Sequence, residues 1–256
     1  MATAETTAFA PIAPDAAGMP LYRAVKRALL RAIESGEAAP GEALPSEAEL
    51  AGAFGVSVGT LRHAVDELVA EHLLARRQGR GTFVATHNDQ RFLFQFFHVE
   101  RGDGLRESPT VELLSFERTR LADDEAAAAL DLRPGEPVFA VENRLALQGR
   151  PVVLDRLVMP ALLFKGLTEK RFRERPGTIY RLYQSEHGIT VVRARERARA
   201  ALADRSVARK LGVAPGAPLL QVRRTALTFG DRPVEYRVST IDTSAHDYVQ
   251  TLSSPV

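Results

Sequence analysis

The arginines that follow residue 75 are the side chains whose spacing most directly suggests chemistry. Arg76, Arg77 and Arg80 lie beside the flexible Gly79 and Gly81, and no acidic residue occurs between positions 72 and 88. A guanidinium at the tip of a hairpin can bind phosphate oxygens or enter a narrow minor groove of DNA. The segment therefore predicts a basic β-hairpin, with strands over 73–77 and 82–84, that contacts a nucleic acid.

Two short helices precede this hairpin and would position further polar side chains. Ser46 and Glu49 have the spacing of a capping box, which starts a helix, and Gly55 is suited to end it. Ser57 is then the N-cap of a second helix that extends to about residue 72. The first residues of such a helix read base edges, and Gly59 would let the backbone approach a groove closely. The predicted DNA contacts are Ser46, Ser57, Gly59, Thr60, Arg62, His63, Arg76, Arg77, Gln78, Gly79, Arg80, Gly81 and Thr82.

Residues 20–86 resemble the winged helix-turn-helix domain of the GntR family of bacterial transcription regulators. The resemblance rests on four motifs, Leu44–Glu47, Phe54–Ser57, Thr60–Arg62 and Arg76–Val84. It implies binding to a double-stranded DNA operator. Because one winged helix reads only a few base pairs, we expect a homodimer on a near-palindromic site.

The sequence departs from this family pattern at two positions. Ala48 and Val58 stand where the family usually has arginines that touch DNA. Their loss removes two charge-assisted contacts. We therefore expect weaker binding, or a different operator preference, than in relatives that keep both arginines.

The second half of the chain contains an internal repeat at an offset of 81 residues. The turn Pro134-Gly135-x-Pro137 recurs at 215–218, with a short helix before each copy and a hairpin after it. Two copies are too few for a solenoid. The repeat predicts an α+β domain with an antiparallel sheet and pseudo-twofold symmetry, and a ligand cleft where the two halves meet.

Residues 90–250 resemble the effector domain of the HutC-like subgroup of GntR regulators, called the UTRA domain, which has a chorismate-lyase-like fold. The resemblance rests on the repeated Leu-x-x-x-Pro-Gly-x-Pro pattern, each copy followed by a strand and by Arg-Pro-Val. It implies that a small-molecule effector binds between the halves and alters how a dimer holds its two DNA-binding domains. The effector contacts that it implies are Arg144, Asp155, Thr178, Tyr180, Glu235 and Arg237.

The predicted effector site also departs from its relatives. Ala146 and Ile241 stand where phosphosugar-binding relatives have an arginine and commonly a tyrosine. Both changes favour an effector that is less charged or more apolar than a phosphosugar.

Length and composition bound the organisation of the chain. At 256 residues it is long enough for two domains, which we place at residues 20–86 and 92–256. Residues 87–91 would be the linker, and residues 1–19 a disordered tail. The aromatic segment 91–97 would open the second domain as a core strand. The formal net charge is only +2, so the electrostatic argument depends on the local charge of the hairpin.

Several chemistries find no support in the sequence. There is no cysteine, the six histidines show no metal-ligand spacing, and no nucleophile elbow or phosphate loop occurs. No apolar run is long enough to span a membrane. We therefore expect a cytoplasmic repressor that responds to a small molecule, without catalytic residues, metal or cofactor. Two alternatives are an enzyme that uses the chorismate-lyase-like domain and a DNA-binding protein with a passive dimerisation domain.

Overall fold

Three helices and a hairpin form the N-terminal unit of the structure, a computed structural model that describes residues 9–12, 19–86 and 96–250. The chain divides into two compact units, residues 1–86 and 87–256. The helices are α1 (Leu21–Ser35), α2 (Glu47–Phe54) and α3 (Val58–Ala70). Strands β1 (Leu74–Arg77) and β2 (Gly81–Val84) pair antiparallel. Helices α2 and α3 and the hairpin follow one another in the order that the sequence predicts.

Local signals fix the ends of α2 and the start of α3. The Ser46 hydroxyl accepts a hydrogen bond from the backbone N–H of Glu49, whose carboxylate accepts one from the backbone N–H of Ser46. This is the predicted capping box. Gly55 ends α2 with a φ of 68°, in the left-handed region that favours glycine. The Ser57 hydroxyl accepts from the backbone N–H of Thr60 and caps α3.

The apolar faces of the three helices meet in one core. Leu21, the first residue of α1, is 42 % exposed and lies outside this core. One detail differs from the sequence prediction. Helix α3 ends at Ala70 rather than near residue 72, because His72 has a φ of 58°, which an α-helix cannot continue. The buried side chains include Val25, Leu29, Ile33, Leu50, Phe54, Leu61, Val65 and Leu68.

Residues 9–12 contact the helical core, although they belong to the segment 1–19 that the sequence predicts to be a disordered tail. The backbone N–H of Ile12 donates to the carbonyl of Phe54 at 3.0 Å. The rings of Phe9 and Phe54 meet edge to face, with their centroids 5.6 Å apart. The ring of Phe9 and the backbone of Ile12 thus contact Phe54 of α2 within the predicted tail. Residues 1–8 and 13–18 lie outside the described residues.

The C-terminal unit is built from two copies of a strand-helix-strand-strand motif. A short strand, β3 (Val99–Arg101), precedes them. The first copy has β4 (Thr110–Arg120), α4 (Asp124–Leu130), β5 (Pro137–Leu147) and β6 (Arg150–Pro160). Helices α5 (Glu169–Arg173) and α6 (Ile179–His187) lie between the copies in sequence. The second copy has β7 (Arg193–Leu202), α7 (Arg205–Leu211), β8 (Pro218–Leu227) and β9 (Pro233–Ile241), and the strand β10 (His246–Tyr248) pairs antiparallel with β3.

The sheet order expresses the repeat directly. The six strands run β4-β5-β6-β9-β8-β7, and every neighbouring pair is antiparallel. The two copies are therefore related by a pseudo-twofold axis between β6 and β9. The predicted α+β domain with an antiparallel sheet and an internal duplication is confirmed.

Salt bridges connect the two copies of the repeat. Glu142 on β5 and Arg223 on β8 occupy equivalent positions in the two copies. Lys210, from the helix of the second copy, pairs with Glu142 in the first. Glu125, from the helix of the first copy, lies 3.3 Å from the Nε of Arg223 in the second. Each helix thus reaches over to the other half, which ties the sheet together across its pseudo-twofold axis.

The two faces of the sheet pack against different helices. Helices α4 and α7 cover one face, which we call the α4/α7 face. The other, the α6 face, carries the largest aromatic cluster, in which Tyr180 and Tyr183 of α6 pack with Phe172 of α5. The predicted linker 87–91 and residues 91–95 of the aromatic segment lie outside the described residues, whereas Phe96 and Phe97 are buried. In the described part of the chain, no helix combines the length and apolarity needed to cross a membrane.

Candidate functional site

The predicted DNA contacts lie at three places in the N-terminal unit: the N-cap of α2, the first turns of α3, and the hairpin of β1 and β2. All thirteen positions are exposed or half-buried. The hydroxyl oxygens of Ser57 and Thr60 are 2.9 Å apart. Gly59, between them, adds no side chain to this surface. The ring of His63 stacks on Tyr22 of α1, with centroids 4.1 Å apart and planes 8° from parallel.

A carboxylate that the sequence prediction did not include organises two of the predicted arginines. Glu47, at the start of α2, accepts hydrogen bonds from the Nε and Nη2 of Arg62 at 2.9 and 2.8 Å. Its other oxygen lies 3.3 Å from the Nη2 of Arg76, whose Nη1 lies 2.5 Å from Asp66. The bond to Glu47 also raises the pKa of Arg62. Glu47 therefore holds Arg62 of α3 and Arg76 of β1 close to each other.

The hairpin turn presents Arg80 at its tip. Gly79 and Gly81 have φ values of 68° and 98°, which favour glycine. The backbone N–H of Arg80 donates to the carbonyl of Arg77 and closes the turn at 2.9 Å. The guanidinium of Arg77 lies 4.4 Å from the centre of the Phe83 ring. The side chain of Arg80 is exposed, and no salt bridge within the described ranges involves it.

A cavity of about 300 Å³ lies on the α6 face of the C-terminal unit. Its floor is formed by side chains of the neighbouring strands β5, β6 and β9, so it lies at the junction of the two repeats. Its walls come from the segment before β4 and from the loop between α5 and α6. The lining residues are Ser108, Pro109, Val111, Asn143, Leu145, Asp155, Arg173, Arg175, Gly177, Thr178, Ile179 and Arg237.

A buried charge network lies in the cavity floor and beneath it. Arg237 donates to both oxygens of Glu235, at 2.9 and 3.0 Å, and to Asp155 at 3.1 Å. The hydroxyls of Tyr180 and Tyr183 donate to Glu235 at 3.3 and 2.6 Å. Burial and the nearby Glu235 raise the pKa of Tyr180 to about 12, so it stays a neutral donor. The side chain of Arg237 therefore meets the cavity with its charge already balanced.

Three of the six predicted effector residues line this cavity, namely Asp155, Thr178 and Arg237. Tyr180 and Glu235 lie one layer deeper, fully buried, and contact each other and Arg237 rather than the open space. The structure thus gives these two residues a supporting position.

Arg144 does not line this cavity, so its effector contact stays a prediction. Its guanidinium donates to Glu112 at 2.9 Å and to the carbonyl of Lys210 on α7 at 3.3 Å. It therefore points to the α4/α7 face. The reason is the alternation of side chains along a strand, because its neighbours Asn143 and Leu145 both face the cavity.

Sequence reasoning missed Asn143, Arg173 and Arg175, which also line the cavity. The Oδ1 of Asn143 and the Nε of Arg175 are buried without a hydrogen-bond partner. Arg175 lies over the Phe172 ring at 4.6 Å and donates to the carbonyl of Phe172. Burial lowers the pKa of Arg175. Alternation along β5 is the signal that could have identified Asn143, once Leu145 was placed on the same face.

A small second cavity shares Leu145, Asp155 and Arg237 with the first and extends to Phe96. Arg224 anchors this side. Its Nη2 donates to the carbonyl of Phe96 at 2.6 Å, and its Nε donates to Glu196 at 2.5 Å. The buried Arg224 therefore holds the backbone at Phe96 at the edge of these two cavities.

In the ranges that the structure describes, no group of three or more His, Cys, Asp or Glu side chains could hold a metal ion. The described side chains offer hydrogen bonding and charge pairing, at an exposed basic surface in one unit and in a half-closed cavity in the other.

Both units match known protein families. Residues 21–84 match the family described as bacterial regulatory proteins, gntR family, and residues 105–247 match the UTRA domain. The histidine utilization repressor of Klebsiella aerogenes is 34 % identical over 187 residues, which cover 71 % of this chain and 77 % of that protein. The repressor NagR of Bacillus subtilis is 29 % identical and covers 81 % of this chain and 84 % of its own length.

Solved structures support the same relationship. The ligand-binding domain of a GntR-family regulator from Bordetella bronchiseptica is similar with a TM-score of 0.58 and 36 % identity, over 62 % of this chain and 99 % of that domain. PhnF from Mycobacterium smegmatis shares the fold over 90 % of this chain and all of its own, with a TM-score of 0.52 and 23 % identity.

Proposed function

This chain belongs to the GntR family of bacterial regulatory proteins and carries a UTRA domain, and we propose that it works as a homodimeric repressor on a near-palindromic operator. As a member of this family it is a DNA-binding regulator of transcription that responds to a small molecule. The proposal adds the dimer, the operator symmetry, the contact residues and a site of action in the cytoplasm.

On the DNA side, the start of α3 enters the major groove and the hairpin follows the backbone. Ser57 and Thr60 reach bases or phosphates at the N-terminal end of α3, where helices of this class make their base contacts. Arg62 and Arg76, held by Glu47, bind phosphates on either side of the groove. Arg80, exposed at the tip of the turn, enters the minor groove or meets a phosphate.

A dimer follows from the size of this surface. One α3 helix covers only a few base pairs, and two copies related by a twofold axis read two half-sites about one helical turn apart. The operator then mirrors the symmetry of the protein.

The effector binds in the cavity on the α6 face. The observation that carries this proposal is a cavity of about 300 Å³ whose walls hold two buried polar atoms without partners. Buried polar groups are almost always hydrogen-bonded, so a ligand bound here would complete the bonding of these two atoms. The proposed contacts are Asn143, Asp155, Arg173, Arg175, Thr178 and Arg237, with Tyr180 and Glu235 supporting Arg237 from below.

The Arg224 anchor offers a route from the effector to the DNA-binding unit. Arg237 and Asp155 line both cavities, and Arg224 holds the carbonyl of Phe96 beside them. An effector that moves Arg237 changes the space around Phe96, which follows the segment joining the two units. We expect a coupling of about 1–3 kcal/mol between effector and operator, the usual range for allosteric proteins.

Binding to the DNA upstream of the protein's own gene tests the regulator directly. Fluorescence anisotropy with labelled upstream fragments, in excess unlabelled random DNA, should reveal one fragment that is bound selectively. Equal binding to all fragments would contradict a specific operator there. Relatives named histidine utilization repressors are 31–34 % identical to this chain, so compounds of histidine utilization come first in the effector screen.

A further inference from the structure

Strand β7 forms one edge of the six-stranded sheet and has an arginine at every second position over most of its length. Alternate side chains of a strand point to the same face at intervals of about 6.7 Å, so this row is about 20 Å long. It lies on the α4/α7 face, because Arg197 is paired in register with Arg223, which contacts Glu125 of α4. The β7 arginine row consists of four exposed residues, Arg193, Arg195, Arg197 and Arg199.

Two members of the β7 arginine row form only weak salt bridges. Arg193 pairs with Asp231, and both side chains are more than half exposed. Glu125 lies 3.5 Å from the Nη2 of Arg197 and 3.3 Å from the Nε of Arg223, so one carboxylate serves two cations. Salt bridges this exposed contribute little to stability. A stronger anion can therefore replace these carboxylates.

The other two members of the row have no carboxylate partner among the described residues. The Nε of Arg199 donates to the neutral Oε1 of Gln221 at 3.1 Å. Arg195, in the middle of the row, forms no hydrogen bond or salt bridge to a described residue. The row and Arg223 together thus hold five positive charges against two described carboxylates. Such neighbouring like charges repel each other unless an anion lies among them.

The first repeat supplies few anions for this surplus. Residues 110–160 include nine acidic and six basic residues, whereas residues 193–241 include four acidic and eleven basic residues. Most of the acidic side chains in the first repeat already have partners. Examples are Glu112 with Arg144, Asp123 with the first backbone N–H groups of α4, Glu136 with Arg133, and Glu142 with Lys210. The same region of a second copy would therefore also have few free carboxylates to offer.

The shape of the row fits an extended polyanion. Charged side chains on an edge strand hinder its pairing with another strand, which disfavours a β-strand as the partner. Arginine binds phosphate through two parallel hydrogen bonds, and each strand of duplex DNA presents one phosphate per about 3.4 Å of rise. A row about 20 Å long corresponds to the rise of about six base pairs.

We propose that the β7 arginine row is a second DNA-binding surface, which binds the phosphate backbone of double-stranded DNA without reading its sequence. The inference goes beyond the proposed function, in which only the N-terminal unit contacts DNA. Phosphate contacts add affinity and salt dependence but contain no sequence information. The choice of operator is therefore left to α3 and the hairpin of the N-terminal unit.

The double variant Arg195→Gln/Arg199→Gln tests the row, because it leaves no described carboxylate without its partner. Fluorescence anisotropy of the full-length protein with a labelled random duplex of about 40 base pairs gives the slope of log affinity against log salt. Two lost phosphate contacts should lower this slope by about 1.8 for each row that meets DNA. Between about 50 and 200 mM salt, the wild type should then lose about 12-fold more affinity than the variant.

Two further variants serve as controls. Arg118→Gln/Arg133→Gln removes the same charge from exposed positions of the first repeat, with Arg118 on β4, the opposite edge of the sheet, and should keep the wild-type slope. Arg195→Lys/Arg199→Lys keeps both charges and should restore most of the slope, because counterion release depends on charge. All four side chains are exposed, so the Tm from circular dichroism should stay close to that of the wild type.

An unchanged slope in Arg195→Gln/Arg199→Gln would overturn the proposal, since the row would then be a solvated surface. An equal decrease in Arg118→Gln/Arg133→Gln would also overturn it, because net charge alone would explain the effect. If the Gln variant of the row dissociates into monomers in analytical ultracentrifugation, the row contacts a second copy rather than DNA.

The ratio of operator affinity to random-DNA affinity separates this inference from the proposed function. The ratio should be the same in the wild type and in Arg195→Gln/Arg199→Gln, and a changed ratio would contradict binding without sequence reading. Random-DNA binding that depends on the row, with no selective operator, would support the inference and contradict the proposed function. Selective operator binding with no contribution from the row would do the reverse.

Discussion

The exposed arginine at the hairpin tip gives the sharpest test of the DNA-binding surface. Arg80 has no salt bridge among the described residues, so its full charge is available to a phosphate. Each phosphate contact adds about 0.9 to the slope of log affinity against log salt. A dimer carries two such hairpins, and Arg80→Ala should therefore lower this slope by about two.

The size of the effect follows from that slope. Between 50 and 200 mM salt, the wild type should lose about 12-fold more affinity than the variant. Fluorescence anisotropy with a labelled operator over this salt range measures both slopes. Arg76→Ala is the matched comparison in the same hairpin and should change the slope less, because Glu47 and Asp66 already neutralise that arginine. Arg133→Gln, in the other unit, controls for loss of one charge.

An unchanged slope in Arg80→Ala would refute this reasoning and remove the hairpin tip from the interface. A decrease by about one rather than two would mean that only one hairpin of the complex meets a phosphate.

Three further perturbations test other parts of the structure. Glu47→Gln should raise the affinity for random DNA, because a negative charge is lost. It should also lower the ratio of operator affinity to random-DNA affinity, because Arg62 is no longer fixed. Competition anisotropy measures this ratio, and an unchanged ratio would refute the role of Glu47. Arg224→Lys keeps the positive charge but loses the guanidinium fork that holds the carbonyl of Phe96. The ratio of operator affinities with and without effector should therefore become smaller. A wild-type ratio in this variant would show that Arg224 does not transmit the effector response. Burial lowers the pKa of His98 below its usual 6.5, so the unfolded chain binds more protons and unfolding free energy should decrease as pH falls through 6.5. Urea unfolding at pH 7 and pH 5.5 checks this, and His98→Gln should flatten the dependence.

Much of the fold can be predicted because its signals are local. The capping box of Ser46 and Glu49 and the glycine at position 55 act within a few residues, and the structure uses them as expected. The repeated Pro-Gly turns likewise indicate the internal duplication. The sheet order then follows from pairing two similar motifs about an axis.

The residues that line the proposed effector cavity could not be predicted in the same way. Alternation divides β5 into two faces, but which face is open depends on the helices that pack there. Arg144 was expected in the site and Asn143 was not, although the two are adjacent. The difference between lining and supporting residues is also tertiary, because Glu235 becomes a support only when Tyr180 and Tyr183 of α6 pack over it.

The bonds that organise the proposed DNA-binding surface also join residues that are far apart in the sequence. Glu47 is separated from Arg62 by 15 positions and from Arg76 by 29. Neither spacing is a recognised motif, so the sequence alone does not indicate that these three charged side chains form one cluster. Two of the predicted phosphate-binding arginines thus turn out to be preorganised by a carboxylate.

Operator affinity with and without bound effector, in the wild type and in Arg175→Gln, tests the central claim most directly. That claim is that occupation of the cavity on the α6 face changes the hold of the N-terminal unit on DNA. The wild type should show a change of about 5- to 150-fold, and the variant almost none at the same effector concentration. An equal change in both proteins would place the effector elsewhere, and no change in either would contradict ligand control through this cavity.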